Sequence, residues 1–408
     1  MIHKNTFDNN EQTDVLTRRR FIAGVSAATL AAPAVLGAET REYRVAVIGH
    51  TGHGNYGHGL DRVWLDIPDT KIVGVADADA KGLAATVKRL GNPKGFEDYR
   101  RMLDEVKPEL VTVAPRWLGE HRDMVVAAAE RGVRGIYLEK PMCRTLAEAD
   151  EMIDACKKNN VKLAMAHQTR YSPKLKVMRE MLDSGQLGHV VEFRTRGKED
   201  RRGGGEDLWV LGTHVLDLMH ALGGDPKSCF ATVWEDGRPI EAKDVKPGPE
   251  GIGSLAGDEV HATYRLAGGA TGYFDSVRNT GGRPTRFGIR IYGGKGVLEL
   301  FDTGPLPDVR FLADPSWSPG RTGKKWISVS STGVGKEEPL ENRGLHGGNV
   351  LAIKDLSAAI EEDREPISNM YEARTATEMI VAVFESQRIG GPVTLPLKNR
   401  QNPLTMLR

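Results

Sequence analysis

The stretch RVAVIGHTGHGNYGHGL, residues 44–60, constrains the fold more than any other part of the chain. Its apolar start, with Val45, Val47 and Ile48, is typical of a buried parallel strand. The glycines that follow are Gly49, Gly52, Gly54 and Gly57. Because glycine adopts positive φ and leaves no Cβ between backbone N–H groups and a ligand, such a turn is typical of phosphate binding. We therefore predict a strand, a phosphate-binding turn and a helix over 56–66 whose positive end faces a pyrophosphate.

An acid further along the chain indicates which phosphate compound this turn binds. Gly52-x-Gly54-x-x-Gly57 has the spacing of a dinucleotide fingerprint, in a turn lengthened by the three residues after Gly49. Asp77 ends the next apolar run, 25 residues after Gly52, where a carboxylate accepts hydrogen bonds from a ribose 2′-hydroxyl. It would repel a 2′-phosphate, and no arginine follows to offset that repulsion. The pattern favours NAD over NADP; the alternative is a loop that binds nothing, followed by a helix-capping aspartate.

Short apolar runs and helical patterns alternate up to residue 166, which predicts a parallel sheet with crossover helices. The predicted strands are 44–49, 71–76, 109–114, 134–138 and 161–166, and the predicted helices are 56–66, 79–90, 97–106, 119–131 and 145–159. Beyond 166 the predicted strands are 188–197, 228–235, 258–266, 270–277, 285–292 and 296–301, with helices at 173–184, 213–222, 346–362 and 371–390. Residues 236–257 and 302–325, rich in Gly and Pro, are predicted surface insertions. The sequence thus predicts domains at 41–166 and 167–397, with a tail at 398–408.

The N-terminal segment, residues 1–40, is predicted to be an export signal and linker. Arg18, Arg19 and Arg20 precede Phe21 and an alanine-rich apolar run, which is similar to a twin-arginine signal. A basic amphipathic arm is the alternative, and retention of the signal as a membrane tether is open. We expect a periplasmic protein without a membrane span once the signal is removed. A net charge of +1 gives no reason to expect nucleic acid as a partner.

The tripeptide Glu139-Lys140-Pro141 ends the strand predicted at 134–138. Proline has no N–H to donate and stops the ladder, so Glu139 and Lys140 are expected at the carboxyl edge of the sheet, where open α/β sheets bind ligands. A lysine there can donate to a hydroxyl or carbonyl oxygen, or take a proton if its pKa is lowered. A solvated Glu–Lys pair is the alternative.

These motifs together resemble the glucose–fructose oxidoreductase/inositol dehydrogenase (Gfo/Idh/MocA) family. The resemblance rests on the glycine turn, Asp77, Ala114-Pro115 with His121, Glu139-Lys140-Pro141, Arg170-Tyr171-Ser172-Pro173, Ser184-Gly185-x-x-Gly188 and Gly212-x-His214-x-x-Asp217. It implies an α/β protein with a Rossmann domain and a second α+β domain built on a large, mostly antiparallel sheet. It also implies homo-oligomers formed through the open face of that sheet.

The resemblance assigns roles to individual residues. Lys140 and His214 would share the acid–base chemistry, and the substrate would contact Arg170, His167 and Asp217. The cofactor-binding residues would be Gly49, Thr51, Gly52, Gly54, Asp77, Pro115, His121, Glu139 and Lys140. Many members carry an aspartate four residues before the histidine, but this chain has Val210 there, so we expect Asp217 or Asp207 to orient His214. The alternative for His214 is a buried, satisfied core histidine.

Two further sets of side chains, the histidines of the glycine turn and Cys143, have a chemical role and a simpler structural role as alternatives. His50, His53 and His58 could bind one metal ion, but a glycine-rich loop is a flexible ligand frame and no acid or cysteine adjoins them. The sequence therefore favours phosphate contacts for these histidines and predicts no metal. Cys143, close to Lys140, is expected to be a small buried side chain rather than a reactive thiol.

The function expected from this resemblance is NAD-dependent oxidation or reduction of a sugar, polyol or sugar derivative. An exported enzyme meets no pool of NAD, so we expect a tightly held cofactor and return of the hydride within the same site. One alternative is elimination or glycoside cleavage through transient oxidation. Another is a non-catalytic ligand-binding protein that retains NAD, which the absence of the aspartate at 210 favours.

Overall fold

The computed structural model describes residues 42–408, and the predicted signal at 1–40 lies outside the described residues. Within residues 42–408, no helix is both long enough and apolar enough to cross a bilayer.

The first sheet is parallel, as predicted, with strand order β3-β2-β1-β4-β5-β6. Its strands are β1 (Tyr43–Ile48), β2 (Thr70–Ala76), β3 (Lys94–Phe96), β4 (Leu110–Val113), β5 (Gly135–Leu138) and β6 (Lys162–Met165). Strands β4, β5 and β6 are buried along their whole length because helices cover both faces, which explains their continuous apolar runs. The sequence did not predict β3, which is only three residues long.

The helices of this half follow the predicted alternation, with one exception. They are α1 (Ala80–Arg89), α2 (Tyr99–Val106), α3 (Leu118–Glu130) and α4 (Leu146–Lys158). The prediction of a helix over 56–66 is wrong, since turns and a short 3₁₀ helix at Arg62–Asp66 take its place. Gly57 and Gly59 have φ of 58° and 80°, which an α-helix cannot contain. Within residues 42–408, the glycine turn therefore does not lead directly into an α-helix.

The second sheet has eleven strands and is mostly antiparallel, as predicted. Its strands are β7 (Val190–Arg196), β8 (Pro226–Glu235), β9 (Arg238–Pro239), β12 (Glu259–Leu266), β13 (Thr271–Val277), β14 (Gly288–Gly293), β15 (Gly296–Phe301), β16 (Asp308–Leu312), β17 (Ile327–Ser330), β18 (Gly333–Val334) and β19 (Val393–Thr394). A separate small hairpin joins β10 (Lys246–Gly248) to β11 (Gly253–Leu255). The exception to antiparallel pairing is β7 with β13, which run parallel. Strand β16 and the β10–β11 hairpin lie in the stretches predicted to be surface insertions.

Side chains alternate across this sheet between a core face and an open face. On β13 every second residue is buried, as the two-residue period of a half-covered strand requires. The core face packs against helices. The remaining helices of the chain are α5 (Pro173–Asp183), α6 (Gly205–Val210), α7 (Gly212–Gly223), α8 (Pro319–Thr322), α9 (Gly344–Glu361) and α10 (Met370–Ile389). The open face carries aromatic side chains, including Phe230, Trp234 and Tyr273.

Helix α9 is far from the first sheet in sequence but packs on it. Its apolar residues Ala352, Ile353 and Leu356 are fully buried in the same cluster as Val45 and Val47 of β1. Asn349 of this helix accepts a hydrogen bond from Tyr137 of β5, at 2.7 Å. The C-terminal part of the chain therefore completes the core of the Rossmann-like half.

Candidate functional site

The glycine turn folds closely onto the ends of β4 and β5. A Cβ at Gly54 would lie 2.7 Å from the Cα of Arg116, and one at Gly57 would lie 2.6 Å from the carbonyl oxygen of Ala114. At Gly57 the added atom would also overlap the Glu139 carboxylate. The glycines are therefore required at these two positions because protein atoms, and not only a ligand, approach the backbone.

Asp77 holds the start of this turn. Its carboxylate accepts hydrogen bonds from the Thr51 N–H at 3.0 Å and the Thr51 hydroxyl at 2.7 Å. The Tyr56 hydroxyl and the Asp79 N–H donate to it at 2.8 and 3.0 Å. The side chain is only 1% exposed. A carboxylate has about four lone-pair positions, and all are used. A ribose hydroxyl must therefore replace the hydroxyl of Thr51 or Tyr56 to bond Asp77.

A cavity of about 350 Å³, called here the edge cavity, opens beside this aspartate at the carboxyl edge of the sheet. Its lining includes Gly49, His50, Asp77, Tyr99 and Glu120. An open α/β sheet binds nucleotides at this edge, beside the strand ends of β1 and β2. The residues present fit the adenosine half of NAD, since Asp77 lies beside the cavity and forms no ion pair within residues 42–408, although Arg100 also lines the cavity.

Lys140 and His214 lie together in a second cavity, called here the central cleft, of about 650 Å³. Its lining includes His58, Lys140, Lys198, Arg202 and His214. Lys140 follows β5, His214 lies on α7, and His58 comes from the glycine turn. The sequence predicted the pair Lys140 and His214, but Lys198 and Arg202 carry no motif that would have identified them.

The polar atoms of Lys140 and His214 are left with unused hydrogen-bonding capacity. Lys140 Nζ donates to the backbone carbonyl of Val210 at 2.8 Å. Among the described residues, Nδ1 of His214 is buried and has no hydrogen-bond partner. Position 210 thus still contacts the lysine, through its backbone rather than through an aspartate side chain. Buried polar atoms without partners are typical of a site that a ligand completes.

Burial also affects the charge of the Lys140 amine and of the His214 imidazole. It lowers the pKa of Lys140 below 10.5, although the Glu139 carboxylate acts in the opposite direction. Burial, followed by the nearby positive charge of Lys140, lowers the pKa of His214 well below 6.5. The imidazole is therefore neutral at physiological pH, and the lysine is more easily deprotonated than an exposed one.

Glu139 connects the tripeptide to the glycine turn. Its carboxylate is fully buried and accepts a hydrogen bond from the His58 N–H at 3.0 Å. The His58 ring Nδ1 lies 3.1 Å from the same carboxylate. The nearby His58 and Lys140 charges hold the pKa of Glu139 below 4.5 despite its burial. His58 therefore positions Glu139 beside the catalytic candidate Lys140, a role that the sequence analysis missed because 81 residues separate the partners.

The three predicted substrate contacts form a buried network behind the cleft instead. His167 Nδ1 lies 3.5 Å from the Asp217 carboxylate, and Arg170 lies 3.7 Å from it. Arg170 also pairs with Glu372 at 2.8 Å. His167 is 2% exposed and packs edge-on against the His214 ring, with centroids 5.4 Å apart. These residues support His214 through packing, and their positions give no support to direct substrate contact.

Neither acid proposed as a partner of His214 bonds it. Asp217 belongs to the network just described, and both of its oxygens lack hydrogen-bond partners within residues 42–408. Asp207 accepts hydrogen bonds from the Ser276 hydroxyl at 2.6 Å and the Glu199 N–H at 2.9 Å. The expectation of a substitute carboxylate for His214 is therefore wrong.

His121 and Pro115 are structural neighbours of the site. The His121 ring is fully buried, with Nε2 at 2.7 Å from the Pro115 carbonyl oxygen and Nδ1 at 3.0 Å from that of Pro141. It ties the end of β4 to the tripeptide after β5 and is buried away from both cavities. Cys143 is also fully buried, which raises its pKa well above 9.0 and leaves it unreactive.

The first two histidines of the glycine turn converge on one carboxylate. His50 Nδ1 lies 2.7 Å from Glu120 Oε2, and His53 Nδ1 lies 2.9 Å from Oε1 of the same residue. His58 is not part of this group. The sequence analysis found no acid near these histidines because Glu120 lies 67 residues beyond His53, in the first turn of α3.

Both halves of the chain match models of known protein families. Residues 43–167 match the model of the oxidoreductase family with an NAD-binding Rossmann fold, and residues 175–299 match the GFO/IDH/MocA C-terminal domain. Together the two matches cover more than half of the chain.

Individual relatives share less than a third of the aligned residues with this chain. The chain is 27% identical over 261 residues to levoglucosan dehydrogenase of Pseudarthrobacter phenanthrenivorans, covering 57% of this chain and 65% of that protein. It is 29% identical over 204 residues to D-apiose dehydrogenase of Paraburkholderia graminis, covering 48% and 54%. The match thus spans less than two thirds of either relative. A levoglucosan dehydrogenase structure in complex with NADH and L-sorbose superimposes with a TM-score of 0.70 at 22% identity, covering 87% of this chain and 99% of that one. That likeness establishes the shared fold.

Proposed function

Because the chain belongs to the Gfo/Idh/MocA family of NAD-binding oxidoreductases, we propose that it oxidises or reduces a hydroxyl-bearing carbon of a sugar, polyol or sugar derivative. The observation that carries the proposal is the pairing of buried Lys140 with neutral His214 in the central cleft. The two relatives named above are dehydrogenases of sugar compounds, which supports this substrate class.

Each side chain of the cleft has a distinct part in this reaction. The neutral amine of Lys140 accepts the proton of the substrate hydroxyl, while the C–H electron pair leaves the same carbon as hydride. NAD, when bound, supplies the acceptor of that hydride. The His214 ring, which lines the same cleft, hydrogen-bonds the hydroxyl and orients it towards Lys140. In the reverse direction the Lys140 ammonium returns the proton to the carbonyl oxygen.

Burial makes the lysine suitable for this role. An exposed lysine is almost entirely protonated at neutral pH, but the environment of Lys140 lowers its pKa and increases the fraction of neutral amine. The Val210 carbonyl accepts one hydrogen bond from Nζ and so fixes the direction of the remaining lone pair or N–H groups. This backbone contact orients Lys140, whereas His214 is left without the carboxylate that an aspartate at 210 would provide.

The proposal extends to cofactor retention, cellular location and assembly. A chain exported in a folded state would carry NAD with it, so turnover outside the cytoplasm requires the hydride to return within the same site. The aromatic residues on the open face of the second sheet, with Phe230 at 49% exposure, support a homo-oligomer formed through that face. Light scattering of the purified protein tests the assembly.

The decisive experiment compares Lys140→Met with Lys176→Met. Lys176 is 81% exposed on α5 and serves as the matched control for removal of a lysine charge. NADH formation or consumption is measured by ultraviolet absorbance over a panel of sugars, and products are identified by mass spectrometry. We expect Lys140→Met to lose far more than tenfold in rate and still bind NAD, with the control unchanged. A rate within tenfold of the native protein, about 1.4 kcal/mol in the barrier, would assign the chemistry to another residue.

A further inference from the structure

The cluster of His50, His53 and Glu120 is not used by the proposed reaction. We propose that it binds one divalent transition-metal ion of the zinc class at the mouth of the edge cavity. The three residues offer one ligand atom each, all within 4.8 Å of one another.

Local backbone structure brings the two imidazoles together. The His53 N–H donates to the His50 carbonyl at 3.0 Å, and His50 and Asn55 form an isolated antiparallel bridge. This tight turn leaves the two rings with centroids 4.3 Å apart. The His53 ring also stacks on Trp117 at 4.4 Å and 13°, which holds it in the orientation that faces Glu120. The turn therefore holds the two imidazoles more rigidly than its glycine content indicates.

The ligand atoms that these three side chains offer favour one class of metal ion. Two imidazole nitrogens and one carboxylate oxygen suit zinc and its neighbours, whereas calcium and magnesium prefer oxygen ligands alone. Three protein ligands with an open fourth position are typical of zinc sites that also bind water or a ligand. Here the open side adjoins the edge cavity, whose lining includes both His50 and Glu120.

The present distances allow an ion after a small adjustment. Ligand atoms around a tetrahedral zinc ion with bonds of about 2.0–2.1 Å stand about 3.3 Å apart. His50 Nδ1 lies 2.7 Å from Oε2 of Glu120 and His53 Nδ1 lies 2.9 Å from Oε1. For one oxygen to ligate together with both nitrogens, the carboxylate must turn and the rings must move by about half an ångström. The side chains are 24%, 45% and 25% exposed, so this movement meets no packed core.

The test is a titration of the chelator-treated full-length protein with Co²⁺ and Zn²⁺. We expect one equivalent of Co²⁺ to give the visible absorption of a low-coordinate site and to be displaced by Zn²⁺. His53→Ala and Glu120→Gln should each weaken binding more than tenfold. The control, His346→Ala, removes an exposed histidine that pairs with Asp66 elsewhere and should leave binding unchanged.

Other outcomes would overturn the inference. Absence of a stoichiometric ion, or equal binding by the native protein and both cluster variants, would show that the histidines serve as a hydrogen-bonded latch only. Circular dichroism of each variant confirms folding, which substitution of half-exposed side chains is not expected to impair. Because metal binding is read directly, its failure is independent of whether the chain oxidises sugars.

Discussion

Replacing Gly57 by alanine tests whether the glycine turn is shaped by protein contacts. Gly57 has a φ of 58°, and its added Cβ would overlap the Glu139 carboxylate and lie 2.6 Å from the Ala114 carbonyl oxygen. Gly59 provides a matched control in the same turn, with a φ of 80° and no atom within 4 Å of its added Cβ. The two variants share the backbone penalty and differ in the steric one.

The expected magnitudes follow from these contacts. A non-glycine residue in the left-handed region costs about 1–2 kcal/mol, and this applies to both variants. Forcing a methyl group into packed atoms costs about 1–3 kcal/mol more, and this applies to Gly57→Ala alone. We therefore expect a loss of about 2–5 kcal/mol in the free energy of unfolding for Gly57→Ala and about 1–2 kcal/mol for Gly59→Ala.

Urea unfolding followed by tryptophan fluorescence measures the two losses in stability, since Trp64 is buried in the same core cluster as Tyr56 of the turn. The rate of sugar oxidation should also fall further in Gly57→Ala than in Gly59→Ala, because displacement of Glu139 disturbs both His58 and Lys140. Equal destabilisation and equal rates for both variants would refute the contact between the turn and Glu139.

The remaining predictions concern cofactor choice, pH dependence, the buried network and turnover. Asp77→Ser combined with Ala78→Arg should raise the ratio of NADP to NAD affinity in a binding titration, and an unchanged ratio would remove Asp77 from cofactor selection. The rate of sugar oxidation should rise with pH through a Lys140 pKa below 10.5, and no such rise should appear in Lys140→Met. Asp217→Asn should cost about 1–3 kcal/mol of stability, because it removes a buried charge beside Arg170 and His167 while Arg170 keeps its ion pair with Glu372. Since the pKa of Asp217 is lowered below 3.8, its stabilisation is present above that value and is lost as pH falls through the lowered one, so unfolding curves of the two proteins should converge in acid. Purified protein without added NAD should form product over many enzyme equivalents, whereas a single burst would contradict the closed cycle.

Local patterns in the sequence determined the parallel sheet and the position of the tripeptide. A strand buried on both faces must be apolar throughout, so β4, β5 and β6 were recognisable without knowledge of their neighbours. The carboxyl ends of parallel strands meet at one edge, which located Lys140 there. Helical periodicity also predicted α7, the helix that carries His214.

The tertiary structure alone decided which side chains face each other. His58 with Glu139, His53 with Glu120 and Lys140 with the Val210 carbonyl are pairs separated by 81, 67 and 70 residues. No local period encodes such contacts, because they arise from the packing of separate elements. The same packing turned Asp217 away from His214. It also replaced the expected helix after β1 by a turn in which Gly54 and Gly57 accommodate neighbouring protein atoms.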